Sequence, residues 1–327
     1  MADILFVFHP RAGRRPRHAE VESLRRRLSA DGHRVEMLAT VAGPACVDLI
    51  SQRLEAGAPQ CVVAAGGDGT VRDVVEALLG RPQSLRPAMA MVAMGTANNA
   101  ARSIDPTLPR RLHHARQAED RLAGVLAAGF CREVDAGRAN ARAFLGSVAI
   151  GMDADILAWR NAAQSRCPGP LRGYPLYLAS CAVNALRDHG GPVRLELSST
   201  PGEGPTIVRE RVVNVLVTNT ALYAGEFRFV GGSRHQDGRL DVLWNRSMGD
   251  YLRRYAAAWP RHLRVMRGLP VRDDAGVVPA ARIVMEWTTA VPWQLDGEEM
   301  TPTPRFEVEI LPAALRVMLT DAPCASW

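Results

Sequence analysis

Four short apolar runs alternate with amphipathic stretches over the first hundred residues, and the spacing of their polar positions separates the two kinds. Residues 4–8, 35–39, 61–65 and 88–93 are nearly unbroken apolar runs and predict buried strands. Between them, residues 19–28 place Val21, Leu24 and Leu28 on one helical face, Gly32 marks the end of that helix, and residues 45–54 and 71–79 predict two more. Residues 11–17, rich in Arg, Gly and Pro, predict a loop. Strand and helix in alternation predict a parallel sheet covered on both faces, with ligand positions at the carboxyl ends of its strands.

Beyond about Asp135 the rhythm changes. Residues 143–150, 193–198, 212–218, 240–244, 282–287 and 306–311 predict strands, several with a period of two, and helical patterns thin out to residues 176–187 and 250–267. The pattern is that of a separate, mostly antiparallel β region, with no internal repeat and no low-complexity tract. In residues 250–267, Leu252, Tyr255, Trp259, Leu263 and Met266 fall near one face and five arginines fall elsewhere. That face suits packing on the β region and equally suits contact with a membrane interface. The apolar stretch 174–186, interrupted by Asn184, is too short to span a bilayer.

Composition narrows the chemistry. A chain of 327 residues is long enough for two cores without disulfides. Its formal charge of +6 suits an anionic partner such as a nucleotide or an acidic membrane surface; no nucleic-acid partner is expected. The six cysteines lie far apart with no C-x-x-C, so neither a disulfide scaffold nor a zinc site is expected, and a reducing cytoplasm is. The start of the sequence lacks a basic n-region, so no signal peptide is expected. Every basic residue counted as Lys or Arg is an arginine, which excludes a P-loop lysine, a Schiff-base lysine and a lysine general base.

The most informative motif is GGDGT at residues 66–70, directly after the third apolar run. Glycines at a strand-to-helix turn leave amide groups open to a ligand, and the helix start behind them favours negative charge. Asp68 would repel a bare polyphosphate, so its presence suits a divalent cation between the two. A tight turn without a ligand is the plain alternative. A second glycine turn, Gly95-Thr96-Ala97-Asn98-Asn99, follows the fourth run. The histidines show no metal-ligand spacing, and the serines show no Gly-x-Ser-x-Gly elbow.

Taken in order, Thr40, GGDGT, the second glycine turn, Asp135, Gly151-Met152-Asp153-Ala154, the run from Asn219 to Asp241 closing in Asp237-Gly238-Arg239-Leu240-Asp241, and Leu295-Asp296-Gly297-Glu298 form a set far more specific than any one part. On these residues the chain resembles the diacylglycerol kinase catalytic-domain family, in its bacterial soluble lipid kinase branch, related to the sphingosine kinases. The resemblance runs nearly end to end. It implies a Rossmann-like α/β nucleotide domain over residues 1–134 and a C-terminal β-sandwich lipid-substrate domain over 135–311, with residues 312–327 packing back on the first and the active site in the cleft.

The resemblance also implies roles. Thr40, Gly66, Gly67, Asp68, Gly69, Thr70, Val71, Arg72, Gly95 and Thr96 would contact ATP; Asp68 and Asp135 would hold Mg2+ through water; Glu298 would be the general base, acting with Asp68 in catalysis. The Arg234, Asp237 and Arg239 positions match a second metal site built largely of backbone carbonyls. The acceptor would be diacylglycerol or a related lipid alcohol, reached by transient contact with the inner face of a membrane, and a homodimer stays open. Taken by itself, Asp296-Gly297-Glu298 reads as a hairpin turn with solvated acids.

Three positions depart from the family pattern: Asn99 stands where Asp is usual, Arg72-Asp73 where Asn-Glu is common, and His9-Pro10 where Asn-Pro is usual. Arg72 could contact phosphate directly, since a guanidinium binds phosphate in bidentate fashion. Two alternatives stay open. NAD kinases also carry GGDGT beside a β domain, although this chain lacks the Asn-Glu pair that follows their first motif. A non-catalytic nucleotide- or lipid-binding member of the family is the other.

Overall fold

The computed structural model describes residues 1–12, 16–106, 108, 115–164, 166–168, 173–199, 204–231 and 235–320. Its first part alternates as the apolar pattern predicts: β1 (Asp3–Phe8), α1 (His18–Ala30), β2 (Arg34–Ala39), α2 (Ala45–Gly57), β3 (Cys61–Gly66), α3 (Asp68–Leu79), β4 (Ala88–Ala93), then α4 (Asn99–Ile104) and α5 (Ala115–Ala128). The second part is β5 (Cys131–Ala139), β6 (Arg142–Phe144), β7 (Ser147–Gly151), α6 (Met152–Gln164), α7 (Tyr174–Ala185), β8 (Gly191–Ser198), β9 (Thr206–Val212) and β10 (Asn214–Thr218). It closes with β11 (Leu240–Asn245), α8 (Met248–Met266), β12 (Val278–Ala280), β13 (Arg282–Leu295) and β14 (Glu298–Met318).

Strands β2, β1, β3 and β4 lie side by side in parallel. Because side chains alternate across a strand, this sheet has two apolar faces. Leu5 and Val7 of β1 enter a core with Ile50, Leu54, Val71, Val75 and Leu78 of α2 and α3, whereas Ile4 and Phe6 enter another with Val21, Leu24, Leu122 and Val125 of α1 and α5. The pairings after β4 are antiparallel, with one exception: Val317 near the end of β14 pairs in parallel with Met89 of β4. Leu315, Val317 and Leu319 are buried in the same core as Val62 and Met89.

Several boundaries differ from the sequence reading, each for a local reason. Strands β13 and β14 run far beyond residues 282–287 and 306–311, past Pro292, Pro302, Pro304 and Pro312. Proline is tolerated at bulges, and the pairing shifts register between Glu286 and Val291, between Val291 and Trp293, and between Leu311 and Leu315. The expected strand 143–150 is broken at Leu145-Gly146, whose amides are used elsewhere. Helix α6 follows directly, burying Met152, Ala154 and Ile156. Helix α8 divides its apolar residues: Tyr251, Tyr255 and Ala258 pack inward, while Leu252, Trp259 and Met266 are exposed. Among the described residues no helix is long and apolar enough to cross a membrane.

Candidate functional site

The carboxyl ends of the parallel strands are level, because Phe8 pairs with both Ala39 and Ala65, and Gly66 with Ala93. The residues leaving those ends therefore form a row. Thr40 donates its N–H to the Phe8 carbonyl at 2.9 Å and His9 donates to Ala65 at 3.1 Å. Met94 and Gly95 both donate to the carbonyl of Gly66, at 2.8 and 3.1 Å, which ties the two glycine turns together. A side chain at Gly95 would put its Cβ 2.5 Å from the Cα of Gly67. The close approach, rather than turn conformation, is what requires glycine there.

GGDGT is not wholly a loop. Gly67 is the extended cap residue and α3 begins at Asp68, so Asp68, Gly69 and Thr70 make the first helical turn. Amide groups of a first turn lack partners within the helix, and here they face the strand-end row. Val71 is already out of reach, its N–H given to the Gly67 carbonyl at 3.1 Å and its side chain buried in the core. Thr70 is buried, its hydroxyl turned back against Gly66, and Thr96 is exposed on the second turn. The hydroxyl oxygen of Thr40 is shielded from water and has no hydrogen-bond partner, an orphaned group that a ligand could satisfy.

Asp68 carries the unusual charge. Burial, reinforced by the nearby carboxylate of Asp296, pushes its pKa up to about 6, against the pull of the backbone amides of Ala100, Asn99 and Asn98. One oxygen accepts from Ala100 at 3.2 Å. Asp296 sits in the β13–β14 hairpin, where it and Gly297 both adopt positive φ, 48° and 85°. That is the pattern of a type I′ turn. The bland reading of a hairpin is thus right in shape, but its aspartate is not solvated: it accepts from the amides of Leu145, Gly146 and Ser147 at 3.0, 2.9 and 2.7 Å. Burial raises the Asp296 pKa despite those bonds. Gln294 braces the same hairpin, accepting from Gly297 at 2.6 Å and donating to the hydroxyl of Tyr223 at 3.3 Å.

The next residue of the hairpin, Glu298, reaches α3. Its Oε1 lies 2.5 Å from the position a Cβ would take on Gly69, and its Oε2 lies 2.7 Å from Nη1 of Arg72. Arg72 is buried, with a side chain only 6% exposed, and pairs also with Asp73 at 2.9 Å. The two carboxylates raise its pKa further against the cost of burial. Arg72 therefore does not project toward a phosphate as the sequence allowed; it is held inside by acids from both parts of the molecule.

Asp135 is placed elsewhere. Its two oxygens accept from the amides of Gly238, at 2.8 Å, and Ala313, at 2.7 Å, so its carboxylate joins β5 to the 237–239 turn and to the crossover of β14. It is thereby a neighbour of Asp237 and Arg239, both exposed, whereas the carboxylate beside Asp68 is that of Asp296. Arg234 falls outside the described residues, as do residues 321–327. Among the described residues no group of three or more His, Cys, Asp or Glu side chains is disposed to hold a metal. A single carboxylate at a helix start, that of Asp68, does fit a magnesium ion carried chiefly by nucleotide phosphates, the usual manner of Mg2+ binding.

Asn99, expected to mark a missing charge, has a partner in the second part of the chain: its Oδ1 accepts from the Gly225 amide at 2.6 Å. Arg102 donates to the Gly225 carbonyl at 3.1 Å, and Ser103 accepts from Leu222 at 3.1 Å. Helix α4 thus grips the 219–230 segment three times. Sequence reasoning missed this clasp because hydrogen bonds to backbone groups leave no mark on the partner's residue type. The same segment leads to a buried cluster in which Asp153, its pKa raised by burial, accepts from the hydroxyls of Tyr251, at 2.7 Å, and Tyr255 and from Asn214 at 2.9 Å.

Comparison with known proteins gives this geometry a context. Residues 3–139 match the model of the diacylglycerol kinase catalytic domain family. A protein named "Probable lipid kinase YegS-like" from Cronobacter sakazakii is 41% identical over 76 residues, 23% of this chain and 25% of that one. One of the same name from Chromohalobacter salexigens is 28% identical over 189 residues, 53% of this chain and 60% of the relative. Both matches thus cover less than two thirds of the relative's length. The crystal structure of a diacylglycerol kinase from Bacillus anthracis superposes with a TM-score of 0.70 at 20% identity, covering 98% of this chain and 97% of that one. That likeness shows the fold: parallel α/β first, largely antiparallel sheet second.

Proposed function

We propose, from the diacylglycerol kinase catalytic domain that residues 3–139 match, that the protein is a lipid kinase transferring the γ-phosphate of ATP to a hydroxyl of diacylglycerol or a related lipid alcohol. The observation that carries this reading is the position of Glu298, brought on a braced hairpin to within contact of Gly69 in the first turn of α3. A phosphate cradle and a carboxylate able to take a proton then meet at one point. The division into a nucleotide part, residues 1–134, and an acceptor part, residues 135–311, with the end of β14 returning to β4, belongs to the same proposal.

In this mechanism the amides of the first turn of α3 and of the Gly95-Thr96 turn hold the polyphosphate, and the orphaned Thr40 hydroxyl gains a partner. Magnesium would supply neutralisation of the β- and γ-phosphate charge, and Asp68 is the residue that would hold it. Glu298 takes the proton from the acceptor hydroxyl as that oxygen bonds to the γ-phosphorus and ADP departs. Arg72, inside the protein, orients Glu298 through their ion pair.

The acceptor is dissolved in a bilayer, so a contact surface is needed, and α8 has the features of one. Leu252, Trp259 and Met266 recur every seven residues and are 53%, 49% and 69% exposed, with the exposed Arg253, Arg264 and Arg267 beside them. An apolar stripe flanked by arginines suits an interface bearing anionic headgroups. The deciding assay supplies labelled ATP together with a total lipid extract and, separately, NAD. Label in a lipid supports the kinase reading; label in NAD, or tight ATP binding without transfer to any acceptor, overturns it.

A further inference from the structure

Helix α7 is joined to α6 through a histidine. From Tyr174 to Ala185 the helix contains no Asp, Glu, Arg or His, and Tyr177, Cys181 and Ala185 pack against the core that holds Tyr251 and Tyr255. Just past its end, His189 turns back between the two helices. Its Nδ1 lies 2.7 Å from Oδ2 of Asp155 on α6, and its Nε2 lies 2.7 Å from the carbonyl oxygen of Asn184 on α7. The ring is buried, its side chain only 4% exposed.

Both partners are acceptors, and that fixes the protonation state. A neutral imidazole has one N–H donor and one lone pair, whereas the imidazolium has two donors. Only the imidazolium can bond a carboxylate and a carbonyl at once; in either neutral tautomer a lone pair would face an oxygen at 2.7 Å. The end of α7 adds to the preference, since the last carbonyls of a helix favour a cation. The His189 pKa is accordingly raised above 6.5, first by the bond to Asp155, against the cost of burial, with the Asn184 carbonyl adding to it. Few other charges surround the ring. Arg187 opposes its protonation, and Asp188 is exposed and paired with Arg211 of β9 at 2.6 Å. Strand β8 begins at Gly191 and has no charged residue before Arg194.

We propose that His189 is a pH-sensitive pin: as imidazolium it locks α7 onto α6, and on losing a proton it lets α7 lift from the core it covers. That core gives the release a consequence. It contains Met152 and Ile156 of α6 and the tyrosines whose hydroxyls bond Asp153. Helix α6 in turn bonds the residue after Glu298, Asn161 donating to Oε1 of Glu299 at 2.6 Å. The direction follows from the sign of the shift. Protonation favours the docked helix, so the contribution of the pin is fully present below pH 6.5, falls above it, and is lost as pH passes the raised value of the docked state. The pin is independent of the reaction assigned to the cleft.

Hydrogen exchange on the full chain tests this, read at the amides of α7 from about pH 5.5 to 9 and corrected for the intrinsic pH dependence of exchange. Protection in wild type should fall about fivefold or more over that range, the worth of one hydrogen bond. In His189→Gln, whose amide carries no titrating proton, protection should be flat. An equal fall in both proteins, or none in wild type, overturns the proposal. A second measurement does not depend on that variant folding. In an NMR titration the His189 ring of wild type should titrate above 6.5, and in Asp155→Asn it should titrate lower than in wild type; a wild-type value at or below 6.5, or no change in Asp155→Asn, overturns the pin.

Discussion

The Oε2 of Glu298 lies 2.7 Å from Nη1 of Arg72, so the hairpin of the antiparallel part is held on α3 of the parallel part by a charge pair. The arginine end is buried and the glutamate end is half exposed. Replacing Arg72 by Gln strands Asp73 inside and releases Glu298. Breaking a buried pair by removing one partner costs on the order of 3 kcal/mol, which urea denaturation should register. Loss of activity should exceed what the unfolded fraction explains, because Glu298 is then free to leave Gly69. A variant as stable and active as wild type would remove Arg72 from the account.

Asp68 makes stability depend on pH in a stated direction. Its folded pKa, about 6, lies above the ordinary 3.8, so folding disfavours its ionised form. The cost is absent below pH 3.8, grows as pH rises from there to 6, and reaches at most about 3 kcal/mol above that. Asp68→Asn should therefore be more stable than wild type at pH 8, with the advantage shrinking toward pH 4. It should also abolish phosphoryl transfer, and wild-type nucleotide affinity in the presence of Mg2+ should rise with pH through about 6. Equal urea midpoints for the two proteins at pH 8 would contradict this origin of the shift.

Two glycine substitutions should separate folding from catalysis. In Gly95→Ala the new methyl meets backbone, the Cα of Gly67, at 2.5 Å, so the glycine turns must part, with an expected loss of about 2 kcal/mol and of nucleotide binding. In Gly69→Ala the new methyl meets only the end of the Glu298 side chain. Nucleotide affinity should persist there while kcat falls at least tenfold, as calorimetry and initial rates would show.

Asn99 offers a further contrast. Its Oδ1 holds the Gly225 amide, a bond that an aspartate could also accept. Asn99→Asp should leave the melting temperature within a few degrees and alter the Mg2+ concentration needed for half-maximal activity. Asn99→Ala should lose about 1 kcal/mol, the usual worth of such a bond. If the two variants lose the same stability, the clasp to Gly225 contributes nothing.

The exposed stripe of α8 should govern access to bilayers. With Trp259 and Met266 both changed to Glu, sedimentation with vesicles containing phosphatidylglycerol should fall about tenfold, in keeping with the loss of buried apolar area. Turnover of vesicle lipid should fall relative to turnover of a water-soluble short-chain acceptor. Unaltered vesicle binding would place the contact on another surface.

The parallel part was legible because its strands are buried on both faces and its helices on one, a difference that residues 4–8 and 19–28 display in sequence alone. The hairpin at Asp296 was legible as a turn, since Asp-Gly suits two positive-φ positions. What the chain concealed was contact between side chain and backbone: Asp296 with the amides of Leu145 to Ser147, Asn99 with Gly225, Asp135 with Gly238 and Ala313. Such bonds ask nothing of the residue that supplies the amide. Helix α6 was hidden for a different reason, as Met152–Gln164 follows β7 directly, with no loop between strand and helix.

Strand β14 has a bearing on biosynthesis. Its first residues pair with β13, its middle with β5, and Val317 with Met89, more than two hundred positions earlier. While the ribosome is still making the antiparallel part, β4 presents an unpaired edge of the kind that recruits other chains. The parallel sheet can begin to form early, yet its last neighbour emerges only after the antiparallel part, and contacts this distant in sequence close slowly. A chain cut short after residue 311 would leave that edge open for good, so aggregation of the truncated protein is the fate to expect of a nonsense mutation there.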